Sequence, residues 1–320
     1  MRGTFKAAVL AVSSLLVFIS FAHSAVPPSG DAKKAVPAKS QAAAAPVKAP
    51  AAARTKASST RRDLPDVRSG SVLVIDARDS AVLFSRHANV AAPIASITKL
   101  MTALVVLEGG QPLSETLEIT QDDRVKGKGA ASRLGVGTKL SRGDFMHVAL
   151  MSSDNRAAHV IARSFPGGVP AFVRAMNAKA QALGMASAHF ADPTGLSELN
   201  VASAEDLCLL VSAASRNPTV RQYSTDHRHS VVVGKRMLEF RNTNTLVAKA
   251  DWNILVQKTG FTNEAGQCLV MKTVIKDRTV VIVLLDSFGK YTRVADARRI
   301  RKWLEARVPD RGTPAVADRA

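Results

Sequence analysis

The hydrophobic pattern of this chain changes period twice, and that constrains its fold more than any other feature. Residues 71–76 (Ser-Val-Leu-Val-Ile-Asp) and 81–85 (Ala-Val-Leu-Phe-Ser) are β-type runs around a turn at 77–80, which predicts a hairpin. From 96 to about 214 the pattern turns helical: apolar positions over 97–108 recur at helical spacing and stop at Gly109-Gly110. Ser141-x-x-Asp144 and Ser203-x-x-Asp206 have the form of a capping box, with Asp in place of Glu, and 171–183 predicts a helix closed by Gly184. Alternation returns at 230–233 and 236–240 around Gly234-Lys235, then at 254–258, and again at 267–275 and 279–285 around Lys276-Asp277-Arg278. Residues 293–306 predict a final helix. An early hairpin, a helical insert, later strands and a closing helix imply an antiparallel sheet whose first hairpin pairs with late strands. The expected class is therefore α/β (α+β), a sheet flanked by helices with an inserted all-helical subdomain.

Both ends read differently from this unit. Residues 1–24 carry Arg2 and Lys6, an apolar run over 7–21 and a small-x-small site Ala22-His23-Ser24, the pattern of a cleavable signal peptide. That run has 15 residues, whereas a spanning helix needs about 20. Residues 25–63 are mostly Ala, Pro, Ser and Lys and bury too little apolar surface to fold, so they predict a disordered basic tether. Residues 309–320 predict a frayed tail, leaving 64–308 as the folded unit. The mature protein is then expected in the periplasm, with at most electrostatic association with membrane.

Charge bears on partners. Lys+Arg 44 minus Asp+Glu 26 gives +18. Of this, residues 25–62 supply eight cations against Asp31, 8 − 1 = +7, so the tether is strongly basic for its length and the folded part only moderately so. Aromatics at 5% are sparse for base stacking, and no nucleic-acid partner is expected. Cys208 and Cys268 cannot build a disulfide framework; they are either one disulfide, which a secreted setting permits, or two buried thiols. His227-x-His229 lacks a third metal ligand, and Gly127-x-Gly129 and Gly135-x-Gly137 precede no Gly-Lys-Ser/Thr, so neither a metal nor another cofactor is expected.

Three short motifs carry chemistry. In Ser96-Ile97-Thr98-Lys99, residues i and i+3 share a helical face, so the Ser96 hydroxyl and Lys99 amine can meet. A serine needs a base, and a lysine serves as one only if desolvation or a second cation depresses its pKa. Ser153-Asp154-Asn155 supplies a second hydroxyl able to relay a proton and an amide able to orient substrate, with Asp154 read as a cap rather than an acid. Lys258-Thr259-Gly260 on a late strand offers a cation and a hydroxyl for a carboxylate, and a glycine where substrate can lie close. Chance supplies about one or two Ser-x-x-Lys in such a chain, but only about 0.04 Ser-Asp-Asn and about 0.06 Lys-Thr-Gly.

Together these residues resemble the low-molecular-weight penicillin-binding proteins, the serine D-alanyl-D-alanine peptidases. The run Lys258-Thr-Gly-Phe-Thr-Asn-Glu-Ala-Gly-Gln-Cys-Leu-Val270 is most similar to the D-alanyl-D-alanine endopeptidase branch, and Asp192-Pro-Thr-Gly-Leu-Ser197 is also similar to that family. The resemblance implies Ser96 as acylated nucleophile, Lys99 as its base, Ser153 and Asn155 as relay and orienting pair, and Lys258 and Thr259 as carboxylate binders. It further implies an oxyanion hole from the backbone N–H groups of Ser96 and Phe261, beside Gly260. The partners it implies are peptidoglycan stem peptides and cross-links, with β-lactams as covalent inhibitors.

Other functions remain in view. A D-alanyl-D-alanine carboxypeptidase would use the same acyl-serine, and composition does not choose between it and an endopeptidase. A β-lactamase needs a carboxylate to activate water, yet Leu196 stands where its glutamate would precede Leu199-Asn200, with Glu198 out of register. A non-enzymatic wall-binding protein explains the tether but leaves all three motifs idle.

Overall fold

A computed structural model of the chain describes residues 64–124 and 131–307. The expected leader, tether and tail, and Gly127-x-Gly129, lie outside the described residues. The early hairpin forms from β1 (Ser71–Asp76) and β2 (Val82–Arg86), followed by β3 (Ala92–Pro93), a 3-10 turn at Ala95–Ile97 and helix α1 (Thr98–Glu108). The insert continues through β4 (Thr116–Glu118), β5 (Lys139–Ser141), α2 (Arg142–Met151), α3 (Asn155–Arg163), α4 (Gly168–Ala182), β6 (Val201–Ala202), α5 (Ala204–Ala214) and α6 (Pro218–Thr225). A second hairpin, β7 (Arg228–Val233) and β8 (Arg236–Arg241), precedes the long strands β9 (Asn253–Thr262), β10 (Gly266–Ile275) and β11 (Arg278–Ser287) and helix α7 (Thr292–Glu305).

The main sheet has the order β2-β1-β11-β10-β9, antiparallel throughout. The first hairpin does pair with the last strand: Ser71 lies opposite Leu285 and Asp76 opposite Val280. Because successive side chains point to opposite faces, the unbroken apolar run of β11 serves two cores. Val280, Ile282 and Leu284 join Val72 and Val74 against Ala297, Ile300 and Leu304 of α7. Val281, Val283 and Leu285 join Leu73 and Val270 in the larger core shared with the helical insert. Truncating Ile282, Leu284, Ile300 or Leu304 to Ala would cost about 2–5 kcal/mol. A polar clasp fixes α7: the buried Asp296 carboxylate accepts from the Ser69 amide (2.7 Å), the Ser69 hydroxyl (2.7 Å) and the Arg68 amide (2.8 Å).

Caps fall where the sequence puts them. Ser203 and Asp206 form a reciprocal capping box, Ser141 accepts from the Asp144 amide at 2.9 Å, and Gly184 closes α4 at φ +76°. Each serine cap contributes about 1 kcal/mol. Three features differ from the expectation. The β7–β8 hairpin forms its own ribbon outside the main sheet, since alternation reports a half-buried face and not the sheet it joins. Helix α4 starts three residues earlier than expected, with Pro170 in its first turn, where the missing N–H costs nothing. The ribbons β3–β6 and β4–β5 are too short to show a period. Cys208 and Cys268 are two free, buried thiols rather than a disulfide, and burial pushes them up to about 12 and about 11.

Candidate active site

Ser96 sits in the 3-10 turn that leads into α1 and caps neither element. Its neighbour Ala95 adopts φ +47°, a left-handed conformation that an alanine rarely takes. The surroundings impose it. Thr98 Oγ1 donates to the Ala95 carbonyl at 2.8 Å, and two glycines press on the turn. A Cβ on Gly195 would lie 2.0 Å from the Ala95 oxygen, and one on Gly260 would lie 2.9 Å from the Ile94 oxygen. Only glycine lets the backbone approach that closely.

One turn along, Lys99 Nζ lies 2.8 Å from Ser96 Oγ, 2.6 Å from Asn155 Oδ1 and 2.6 Å from the Thr194 carbonyl. Lys99 is 1% exposed. Burial disfavours the ammonium and brings Lys99 down to about 7, with the charges of Asp192 and Asp154 partly opposing the fall. A serine hydroxyl beside an amine that is half deprotonated at neutral pH has the geometry of a nucleophile with its base.

Ser153, Asp154 and Asn155 form the turn from α2 to α3, with Ser153 at φ +65°. Asp154 caps α3, accepting from the Ala157 amide at 2.9 Å and from the Ser132 hydroxyl at 2.7 Å, as the sequence suggested. Ser153 Oγ accepts from Lys258 Nζ at 2.9 Å, and the same amine reaches the Thr259 carbonyl at 2.8 Å. Lys258 is buried too. Desolvation, then the positive charges of Lys99 and Arg293, hold it well below the usual lysine range.

Lys258, Thr259, Gly260 and Phe261 lie on β9, the edge strand, which pairs with β10 on one side only. On its other side Gly260 meets the Ser96 turn, while Phe261 is exposed. The Thr259 hydroxyl is 2.6 Å from that of Thr243, whose amide donates to the Met151 carbonyl at 3.1 Å, so the strand is tied to the end of α2. All eight residues singled out from the sequence thus border one cleft, between the sheet edge and the helical insert.

Several contributors went unassigned in the sequence. The Asp192 carboxylate accepts from the amides of Thr194 (2.5 Å), Gly195 (2.8 Å) and Ser197 (2.8 Å), folding the loop that aims the Thr194 carbonyl at Lys99. The run Asp-Pro-Thr-Gly carries that signal as an Asx-turn. Asn200 uses its amide on Thr98 Oγ1 (3.0 Å) and on the backbone of Ala191 and Asp192, while Glu198 is exposed on the surface. Arg293, at the start of α7, donates to the Gly260 carbonyl at 2.6 Å and the Cys268 carbonyl at 3.1 Å, which no local pattern announces. His229 is engaged by Asp144 at 2.9 Å and stacks on His147 at 3.9 Å; burial pushes His147 down to about 4. Among the described residues no group of three or more His, Cys, Asp or Glu could hold a metal ion. Gly135 and Gly137 shape the turn into β5.

Several known proteins are similar to this chain. The chain is 46% identical over 259 residues to a D-alanyl-D-alanine endopeptidase of Escherichia coli, covering 80% of this chain and 84% of that one. It is 50% identical over 242 residues to a D-alanyl-D-alanine endopeptidase of Pseudomonas aeruginosa, covering 75% and 78%. The crystal structure of a D-alanyl-D-alanine carboxypeptidase from Mycobacterium tuberculosis superposes with a TM-score of 0.70 at 27% identity, covering 77% of this chain and 94% of that one. A family model described as D-alanyl-D-alanine carboxypeptidase matches residues 56–289, and the chain belongs to that family of serine peptidases.

Proposed function

We propose that this chain is a D-alanyl-D-alanine endopeptidase that cuts peptidoglycan cross-links through an acyl-serine intermediate. The observation that carries the reading is Lys99 Nζ, buried, lowered to about 7 and 2.8 Å from Ser96 Oγ. Neutral Lys99 takes the Ser96 proton as the oxygen attacks the carbonyl carbon of the D-alanyl bond. The oxyanion forms against the backbone N–H groups of Ser96 and Phe261, whose pre-set dipoles stabilise it without reorganisation. The C–N bond then breaks, and the leaving amine takes the proton held by Lys99, passed on through the Ser153 hydroxyl, which Lys258 contacts at 2.9 Å. Asn155 orients the stem peptide, and Lys258 with Thr259 holds its carboxylate. Water then attacks the acyl-serine, giving its proton to the now neutral Lys99; the ester C–O bond breaks, Ser96 regains its proton from Lys99, and the shortened peptide leaves.

Neither Asp192 nor Glu198 stands ready to activate that water against a penicillin, because the Asp192 oxygens are held by loop amides and Glu198 faces solvent. Penicillins are therefore expected to leave a long-lived acyl-enzyme on Ser96. The signal-like residues 1–24 and the basic residues 25–62 support a periplasmic enzyme that meets the anionic wall electrostatically. The much higher identity to the endopeptidase relatives than to the carboxypeptidase structure supports the bond assignment. Incubation with purified cross-linked muropeptides tests it: dimers should become monomers, and penicillin should block the reaction. Release of free D-alanine from pentapeptides with dimers left intact would make the chain a carboxypeptidase.

A further inference from the structure

Among the described Phe, Tyr and Trp residues, only Phe261, Phe288 and Tyr291 are mostly exposed, at 56%, 93% and 72%. Their positions in the sheet bring them to one end of it. Phe261 on β9 lies opposite Gln267 of β10, and Gln267 lies opposite Ser287 of β11. Phe288 follows directly, Gly289 turns the chain at φ +85°, and Tyr291 is the N-cap of α7. With strands about 4.8 Å apart, two steps place the backbones of residues 261 and 287 about 10 Å apart. Arg293 closes the circuit by donating from α7 to the Gly260 carbonyl at 2.6 Å. The three residues therefore lie at the end of the sheet where β9 runs on past the Ser96 turn. Single exposed apolar residues are ordinary, but a cluster of aromatic rings beside a cleft marks a contact surface.

We propose that Phe288 and Tyr291, with the Phe261 ring, form a platform for the amino-sugar rings of the glycan to which the stem peptide is attached. The proposal rests on the reading of this chain as a peptidoglycan peptidase. Alanine-rich stems offer methyls, amides and charged groups, none of them flat and apolar. The pyranose rings of the glycan present flat C–H faces, which suit the electron-rich face of an aromatic ring. Lys290, with its amine 5.5 Å from the Tyr291 ring centre, sets a cation beside the platform, suited to the carboxylates of the attached stems. The enzyme thus grips the polymer as well as the peptide it cuts.

The test compares wild type, Phe288→Ala, Tyr291→Ala and the double variant on one cross-linked peptide dimer, with its sugars attached and after an amidase has removed them. KM for the sugar-bearing dimer should rise about tenfold in the double variant, while kcat and the sugar-free KM stay unchanged. Equal losses on both substrates, or none on either, would overturn the proposal. Penicillin labelling of each variant checks that the cleft is intact, and Phe288→Ala, at so exposed a position, guards against a folding artefact. Binding of peptide-free glycan chains to the penicillin-acylated protein is the second readout. It does not depend on which bond is cut, so a carboxypeptidase result would leave it standing, whereas glycan binding unaffected by the double variant would sink the platform. Self-association of wild type that Phe288→Ala abolishes would assign the rings to a second copy of the chain and refute the glycan assignment.

Discussion

Two buried charged sites in this molecule are built on opposite rules. In the turn Gln121–Asp123, Asp123 is fully buried, yet Arg163 Nε and His159 Nδ1 each lie 2.9 Å from its carboxylate. Burial alone would raise it; the hydrogen bonds from His159 and Arg163 and the Thr120 amide outweigh that and hold it at about 2. In the cleft, Lys99 and Lys258 are equally buried, but none of their hydrogen-bond partners is a carboxylate. Both are pushed toward the neutral form. The first site spends its charges on holding the 3-10 turn to α3. The second leaves a desolvated amine, about half neutral near pH 7, where a proton must be taken. A buried charge without a counter-ion marks chemistry here, and a paired one marks architecture.

The contrast breaks first if Lys99 proves dispensable. Lys99→Ala and Ser96→Ala should each lower the rate of penicillin acylation by about 10⁴-fold or more, with the thermal midpoint of Ser96→Ala near that of wild type. Stopped-flow acylation and a calorimetric scan check both halves. Asp123→Asn should do the reverse. It removes the counter-charge of Arg163 and a hydrogen-bond partner of His159 and should cost about 2–3 kcal/mol in denaturant unfolding, while acylation per folded molecule stays within about twofold.

Acidity separates the two sites more finely. Acylation should fall about tenfold per pH unit below about 7, because Lys99 must be neutral to accept the Ser96 proton. For Asp123 the folded value, about 2, is below the ordinary 3.8, so the unfolded chain binds more protons between them. Its stabilisation is therefore complete above that window and is lost as pH falls from about 4 toward 2; the acid limb of stability should flatten in Asp123→Asn. The smallest effect belongs to the tie between strand and helix. Thr243→Val removes the hydroxyl 2.6 Å from Thr259 and should raise KM for carboxylate-bearing peptides about three- to tenfold, with kcat little changed.

The cleft was more legible in the sequence than its supports. Ser96 and Lys99 are on one helical face, and the other two motifs combine residue types too rarely juxtaposed by chance, so local order was enough to find them. Asp154 could be read as a cap for the same reason. Arg293 could not, because it acts on Gly260 from 33 residues away across the sheet end, and nothing in its own neighbourhood marks it. Thr243 likewise matters only once β9 and α2 are side by side. The left-handed turns at Ala95 and Ser153 were invisible because neither residue favours that conformation; tertiary contacts force it. The fold class followed from two changes of period, while the separate β7–β8 ribbon escaped because alternation does not name a strand's neighbours.

The pairing of Ser71 with Leu285 sets the order in which the molecule can be assembled. Every residue of β1 waits for a partner more than two hundred positions later, so the central sheet forms by long-range closure, a slow kind of folding step. The helical insert, rich in local contacts, can condense while β1 and β2 are still without their neighbours. A chain emerging from a pore would stay open, with its first hairpin unsatisfied, until β11 is delivered. The same event that completes the sheet brings Lys258 up to Ser153, so a nascent chain can carry no finished cleft before almost all of it has been made.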